Sequence, residues 1–596
     1  ALTVKAEAEL SAGDLDGVLA TLGPVEADPL AHRARLVLAR AHATRGQVAD
    51  AERVYMRIID AYNDGTIGET DAVGLAYVAE AAWGLGSARD ANDAFQESVA
   101  AAGTRVDTQL AWAALFLAKY DAGHAEECVR EAFAVNPRHP VAHALMARIR
   151  IAQSFDFAEA ARHVERALEV HPTLPLALST KAGLALRDLD IATADALLDA
   201  GLAAHPRDLE LLSMKAAVRF LADDARGFGA AKRRVLGQHR TYAEMYNVIA
   251  EYAEWEHRYP DIVTMSREAV TLDSANYRAH ANLGLNLLRM GDEEEGLQAL
   301  ESAWRRDRFN VRVYNTLELY DRVRPAQYAT VPRGPFIFRF HNDERAVLEP
   351  YVPEVLTGAH ADMVQRYGFT PEGPVRLEMY ANPQHFALRT TGLPNLGVQG
   401  VCFGKVVTAI SPAGGPFNWG QITWHELAHV FHIQLSRNRV PRWFTEGLAE
   451  YETNIARPEW KRELDHLLWQ ALEADRLPPL RALNRAFTRA RSPMDMITAY
   501  YASTRVVHHL VGTYGFGKVV ELLRGWGRGL QTAELFEEVL DGGVDAVDAA
   551  FRAAERQRLA RLEGDWSFDA GAYRELAPRR DAAAAAPTDA SAQAAF

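Results

Sequence analysis

Three Xaa-Pro pairs, Asn136-Pro137, His171-Pro172 and His205-Pro206, each close an Ala-rich amphipathic stretch, and their prolines stand 35 and then 34 residues apart. Proline cannot continue a helix, so each pair is a stop. A stop recurring at this interval marks a unit of two short helices and a turn. The same phase continues through Ser274-Ala275 and Asp307-Arg308, which end the helical stretches Arg267 to Leu272 and Leu297 to Arg306. Small residues, among them Gly123, Gly284, Gly291 and Ala299, fall where paired helices must approach each other. A single two-helix unit cannot bury its apolar face, so such units stack into a solenoid with a concave side.

The run Ala281-Asn282-Leu283-Gly284 through Met290-Gly291-Asp292 to Ala299-Leu300 resembles a tetratricopeptide repeat. Roughly eight to nine such units fit before residue 320. The resemblance implies a superhelix over residues 1–322 whose concave face suits peptides or protein partners; a scaffold that only holds the next domain is the other reading, because a fold by itself names no function. The pattern breaks where Pro325, Pro332, Gly334 and Pro335 crowd together, and a linker is expected over 323–335. Beyond it, Phe336 to Phe340, Val375 to Tyr380 and Val406 to Ser411 alternate or run apolar as strands do, with a helix from about Glu344 to Tyr367. The fold class is therefore multi-domain, an all-α solenoid followed by an α+β domain.

Composition narrows the partners. The formal charge of -14 is spread along the chain rather than held in blocks, which argues against nucleic acid. No apolar run reaches the roughly 18 residues of a transmembrane helix. Cys128 and Cys402, the two cysteines, form neither a disulfide framework nor a Cys-x-x-Cys metal knuckle. Ala1 to Leu10 lacks an initiator Met, a basic start and an apolar signal core, so the protein is expected to begin upstream, and the compartment stays open between cell envelope and cytoplasm. Residues 576–596 read as an Ala-rich linker followed by the start of one more repeat.

Chemistry concentrates in Trp424-His425-Glu426-Leu427-Ala428-His429, a His-Glu-x-x-His string inside a helical pattern. Residues four apart share a helix face, so His425 and His429 can reach one ion with Glu426 beside them. A catalytic zinc site needs a third protein ligand and an open fourth position. Glu446, in Trp443-Phe444-Thr445-Glu446-Gly447-Leu448-Ala449-Glu450, is far enough on for the chain to leave the first helix, turn near Arg437 to Pro441, and lay a second helix alongside. Glu450 falls one turn later, where it can hydrogen-bond a ring N–H, that of His425, and fix its tautomer. His432 lies about 10 Å along the helix from His425, too far to share an ion with it, and reads as a polar neighbour. The metzincin pattern needs Gly at 432 and His at 435, where this chain has His432 and Leu435.

These motifs resemble the gluzincin metallopeptidases, the clan that holds thermolysin, and most closely their short bacterial peptidase MA-like relatives. The resemblance runs from about Phe336 to Glu563, within a domain expected over 336–575. It implies Zn2+ on His425, His429 and Glu446, Glu426 as general base and Glu450 behind a ligand. It also implies an oxyanion-donating tyrosine, which falls on Tyr500 with Tyr501 the alternate; His508 and His509 rank lower. In that clan the strand near Gly400 to Gly404 pairs with extended substrate. The aminopeptidase signature Gly-x-Met-Glu-Asn is absent, Thr408-Ala409-Ile410-Ser411-Pro412 standing there instead. Cys402 reads as a buried small residue. The expected function is zinc-dependent hydrolysis of peptide or protein substrates, with the repeats recruiting substrate or partner; the alternative is a repeat scaffold with a structural or inactive metallopeptidase-like domain.

Overall fold

Asp121, Asp156, Asp190 and Asp224 recur at the repeat interval, and each caps the second helix of a pair by accepting a hydrogen bond from the backbone N–H three residues on. Such a cap satisfies a helix-terminal donor that would otherwise be orphaned and contributes about 1 kcal/mol. In the computed structural model, which describes residues 1–596 except 104, 155, 541, 563–569 and 596, the helices form nine pairs, from Leu2–Ser11 with Leu15–Leu22 to Tyr277–Met290 with Glu293–Arg306, and these caps serve four of them. Alanines fill the narrow spaces between them, with Ala144, Ala147, Ala160, Ala167 and Ala177 fully buried. In the last pair the backbones nearly touch: a Cβ on Gly284 would lie 2.7 Å from the Gly296 carbonyl oxygen.

The superhelix winds tightly enough to meet itself. Lys119 donates to Asp307 Oδ1 at 3.2 Å and to the Tyr277 hydroxyl at 3.3 Å, while Asn310 Nδ2 donates to the Tyr120 hydroxyl at 3.0 Å. One level earlier, His205 Nδ1 lies 2.8 Å from the Ser11 carbonyl oxygen. Contacts between residues 188 to 194 apart thus join successive turns.

The expected linker over 323–335 is instead structured. Pro325 sits in the short helix Arg324–Gln327, which runs on from the π-helical turn Leu319–Val323. Pro332 lies on the edge strand β1 (Tyr328–Arg333), and Gly334 takes φ +57° in the turn to β2 (Phe336–His341). Loop-forming residues here make a hairpin. With β3 (Val375–Tyr380), β4 (Gly400–Cys402) and β5 (Val406–Ile410) they build one sheet in the order β1-β2-β3-β5-β4. The two edge pairings are antiparallel and the two central ones parallel. Phe336, Phe338 and Phe340 point from β2 into a core shared with Leu356 and Met363 of the helix Arg345–Tyr367 and with Phe431. At the far end, Ala570–Ala585 is helical rather than a linker, as befits the best helix-forming residue, and Ala590–Ala595 follows as a second helix; Phe596 lies outside the described residues. Among the described residues no helix is long and apolar enough to cross a membrane.

The two halves are clasped by ion pairs. Asp190 and Asp223 of the solenoid bind Arg485 and Arg439 at 2.6 and 3.0 Å, and Asp188 binds Arg489 and Thr488. Glu293 reaches Arg324 and Arg339, which also bind Glu378 on β3. Glu378 is fully buried and takes a further bond from Arg389, whose other arm donates to the Leu288 carbonyl of the solenoid. Glu378→Ala leaves these guanidinium groups without their shared carboxylate in a low-dielectric interior, and a loss of about 3–5 kcal/mol is expected in chemical denaturation of the full chain.

Candidate metal centre

Asn418 caps the helix that carries both histidines, Trp419–Leu435, by accepting from Gln421 N at 3.0 Å. The chain then reverses through Arg437 and Asn438, both in the left-handed region at φ +49° and +62°, and enters the glutamate helix, Arg442–Ala456. The reversal brings Glu446 against the two histidines. His425 Nε2 and His429 Nε2 lie 3.1 Å apart, and each is 3.4 or 3.3 Å from Glu446 Oε2. Ligands at about 2.05 Å from a tetrahedral zinc stand about 3.3 Å from each other. The three donor atoms therefore fit the ion, as one face of a tetrahedron with its fourth corner free.

The remaining ring nitrogens show why both Nε2 lone pairs point inward. His425 Nδ1 faces Glu450 Oε1 at 3.4 Å. His429 Nδ1 lies 2.7 Å from Thr445 Oγ1, a partner that sequence reasoning missed although it directly precedes Glu446. Thr445 Oγ1 is also 3.1 Å from His432 Nδ1, His432 Nε2 is 2.8 Å from the Tyr367 hydroxyl, and Tyr367 donates to Glu452 at 2.8 Å. Because Glu452 can only accept, the protons in this chain all run outward: His429 N–H to Thr445, Thr445 to His432, His432 N–H to Tyr367. His432 is thus a link behind His429, and burial, followed by the charge of the neighbouring imidazoles, keeps it neutral by lowering its pKa.

Burial pushes the Glu426 carboxyl above the ordinary carboxylate range, opposed by His429 and His425. Burial would do the same to Glu446, but the two imidazoles and Arg442 outweigh it and hold Glu446 well below that range. Gly400 on β4 is the second residue missed: a Cβ there would lie 2.6 Å from Glu426 Cγ and 2.7 Å from its Oε1. The absence of a side chain is what lets the carboxylate sit beside the strand. Of the two candidate tyrosines only Tyr500 joins the cluster, its hydroxyl 3.4 Å from Glu446 Oε1; Tyr501 donates to Asp465 at 2.5 Å. His508 and His509 pack on Tyr451 and Phe551. Cys402 is buried, as expected.

The cluster opens on a cavity of about 1670 Å³ lined by both halves of the chain. From the solenoid, His257 stands near the metal cluster at φ +55°, its carbonyl held by Asn438 Nδ2 at 2.5 Å. Burial, then the proximity of His429 and Arg442, brings its pKa down to about 4.

The family model of the Peptidase MA superfamily matches residues 357–554. This segment is peptidase MA-like. The whole cluster falls inside the Peptidase MA domain, and the helix pairs precede it as a tetratricopeptide-like array. Similar solved structures include a tetratricopeptide repeat protein from Parabacteroides merdae, 15% identical, over 43% of this chain and 98% of that one with a TM-score of 0.30. Another is yeast Tom70, 12% identical over 54% of this chain and 89% of that one with a TM-score of 0.27. No curated protein matches the chain.

Within the Peptidase MA domain, Gly447 lets the glutamate helix meet the tyrosine helix, Pro493–Tyr514: a Cβ there would lie 2.4 Å from the Ser503 carbonyl oxygen. Gly447→Ala must therefore force the helices apart. It is expected to cost about 1–3 kcal/mol in denaturant unfolding despite the better helix propensity of alanine.

Proposed function

We propose that the chain is a zinc-dependent peptidase that hydrolyses peptide bonds, with His425, His429 and Glu446 as metal ligands. The observation that supports this reading most is the near-equilateral triangle of two inward Nε2 atoms and one carboxylate oxygen, with its open corner facing a large cavity. A structural zinc site is closed by four protein ligands, whereas a catalytic one keeps a position free, so the arrangement favours catalysis over the reading of a silent scaffold.

Zinc held there would polarise the scissile carbonyl and lower the pKa of water. The chain's own residues do the rest. Glu426, kept against the site by Gly400, accepts the proton of the attacking water and returns it to the leaving amine. Its raised pKa suits that exchange. Tyr500 donates to the oxygen that gains negative charge, and Glu450 and Thr445 hold the imidazoles in the tautomer that leaves Nε2 free. The outer edge of β4, which reaches the cavity at Gly400, offers backbone groups to an extended peptide.

Purified protein is expected to hold one zinc per chain by elemental analysis. Glu426→Gln should keep that zinc and lose about 10²–10⁴-fold in turnover on a proteome-derived peptide mixture. Equal cleavage by wild type and Glu426→Gln would sink the mechanism. Tyr500→Phe should also keep the metal, with turnover lower by about 10²–10³-fold, the value of one oxyanion donor. An unchanged rate would remove Tyr500 from that role.

A further inference from the structure

The concave face of the solenoid does not look outward. The first helices of successive pairs, among them Pro140–Ser154, Pro175–Arg187, Glu244–Ala253 and Tyr277–Met290, line the same cavity as His425, Glu426 and Glu446. Lys119 and Tyr120, at the end of Val106–Ala118, join Asp307 and Asn310 at the head of Val311–Glu318, so this inner wall closes on itself. The Peptidase MA domain forms its floor, clasped through Asp188, Asp190 and Asp223.

Size and chemistry both bear on the occupant. The cavity, about 1670 Å³, exceeds the roughly 300–1,000 Å³ of small-molecule sites. An extended strand takes about 3.3 by 4.8 by 10 Å per residue, so about ten residues fit. A folded domain of about 50 residues has a radius of gyration near 10 Å, and a sphere of that radius alone fills about 4,000 Å³. Four arginines on the wall are already paired with acids: Arg187 with Glu251, Arg289 with Glu254, Arg148 with Glu210 and Arg278 with Glu244. Between them stand Tyr252 and Trp255, the latter stacked on Arg187. Such a surface supplies aromatic and polar contacts without demanding a ligand of one charge, which suits a polypeptide backbone better than an anion.

We propose that the closed ring of repeats is a fold filter on the metal site, admitting polypeptide only as an unfolded, extended segment and rejecting folded proteins together with their surface loops. The proposal rests on the peptidase reading for its consequence, while the exclusion itself is a property of the ring.

Two measurements on the full chain separate the two. In Val248→Cys the new thiol lines the cavity, and in Glu301→Cys it lies on an exposed outer helix face. Each variant is treated with a small maleimide and with the same maleimide carried on a small folded protein, against the wild-type background from Cys128 and Cys402. The folded reagent should label position 301 readily but position 248 at least about tenfold more slowly than the small reagent does, because access needs the ring to open. Equal labelling of both positions by the folded reagent overturns the proposal.

In the second arm, one cleavable sequence is offered to the wild-type zinc-loaded chain as a free peptide, within an unfolded carrier, and as a surface loop of a folded carrier. The first two should be cut and the third spared by at least about tenfold. A loop cut at the peptide rate overturns the filter. No cleavage of the free peptide, with the labelling contrast intact, counts against the peptidase reading and leaves the filter standing.

Discussion

Two imidazoles and a carboxylate have been made to converge on one point, and much of the surrounding structure serves to hold them so. Left alone, His425 Nε2 and His429 Nε2 at 3.1 Å would repel unless a proton or a cation came between them. The chain fixes the arrangement from behind. Glu450 takes the outer nitrogen of one ring, and a file of hydrogen bonds through Thr445, His432, Tyr367 and Glu452 takes the other, anchored by Arg366 at its far end. Because Glu452 is an acceptor with a guanidinium at its back, the file has one direction, and His429 has one tautomer.

Close backbone approach is the second requirement. Gly400 beside Glu426 and Gly447 beside Ser503 each sit where a methyl group would collide. The first sets the position of the Glu426 carboxylate and the second the position of the helix that carries Tyr500. Neither glycine has positive φ, so their value is space rather than conformational freedom.

The sequence told most where its signals were periodic or short in range. The recurring prolines marked where the helix pairs end, and the cap aspartates at the same interval mark where the second helix of four of these pairs begins. Helical spacing alone brought His425, Glu426 and His429 to one face, and the following helix delivered Glu446 and Glu450. Thr445, Gly400 and His257 could not be read the same way, since each reaches the cluster through a chain reversal, a strand pairing or the docking of the solenoid. The supposed linker failed for a related reason: prolines and a glycine break helices, but at a sheet edge they are compatible with a strand and its turn. Nothing local in the sequence said that the concave face would be turned onto the metal cluster, because that depends on ion pairs such as Asp188 with Arg489, some 301 residues apart.

An open solenoid is modular: each repeat touches only its neighbours, and units can be gained or lost at little cost to the remainder. The bond of Lys119 to Asp307 removes that freedom here. With the wall closed, the pitch and number of the intervening repeats are tied to a fixed circumference, and inserting or deleting one would part the ring and displace the floor it rests on. The repeats between residues 119 and 307 therefore behave as one cooperative body whose length is set by geometry, a count that descent can vary only by rebuilding the whole turn at once.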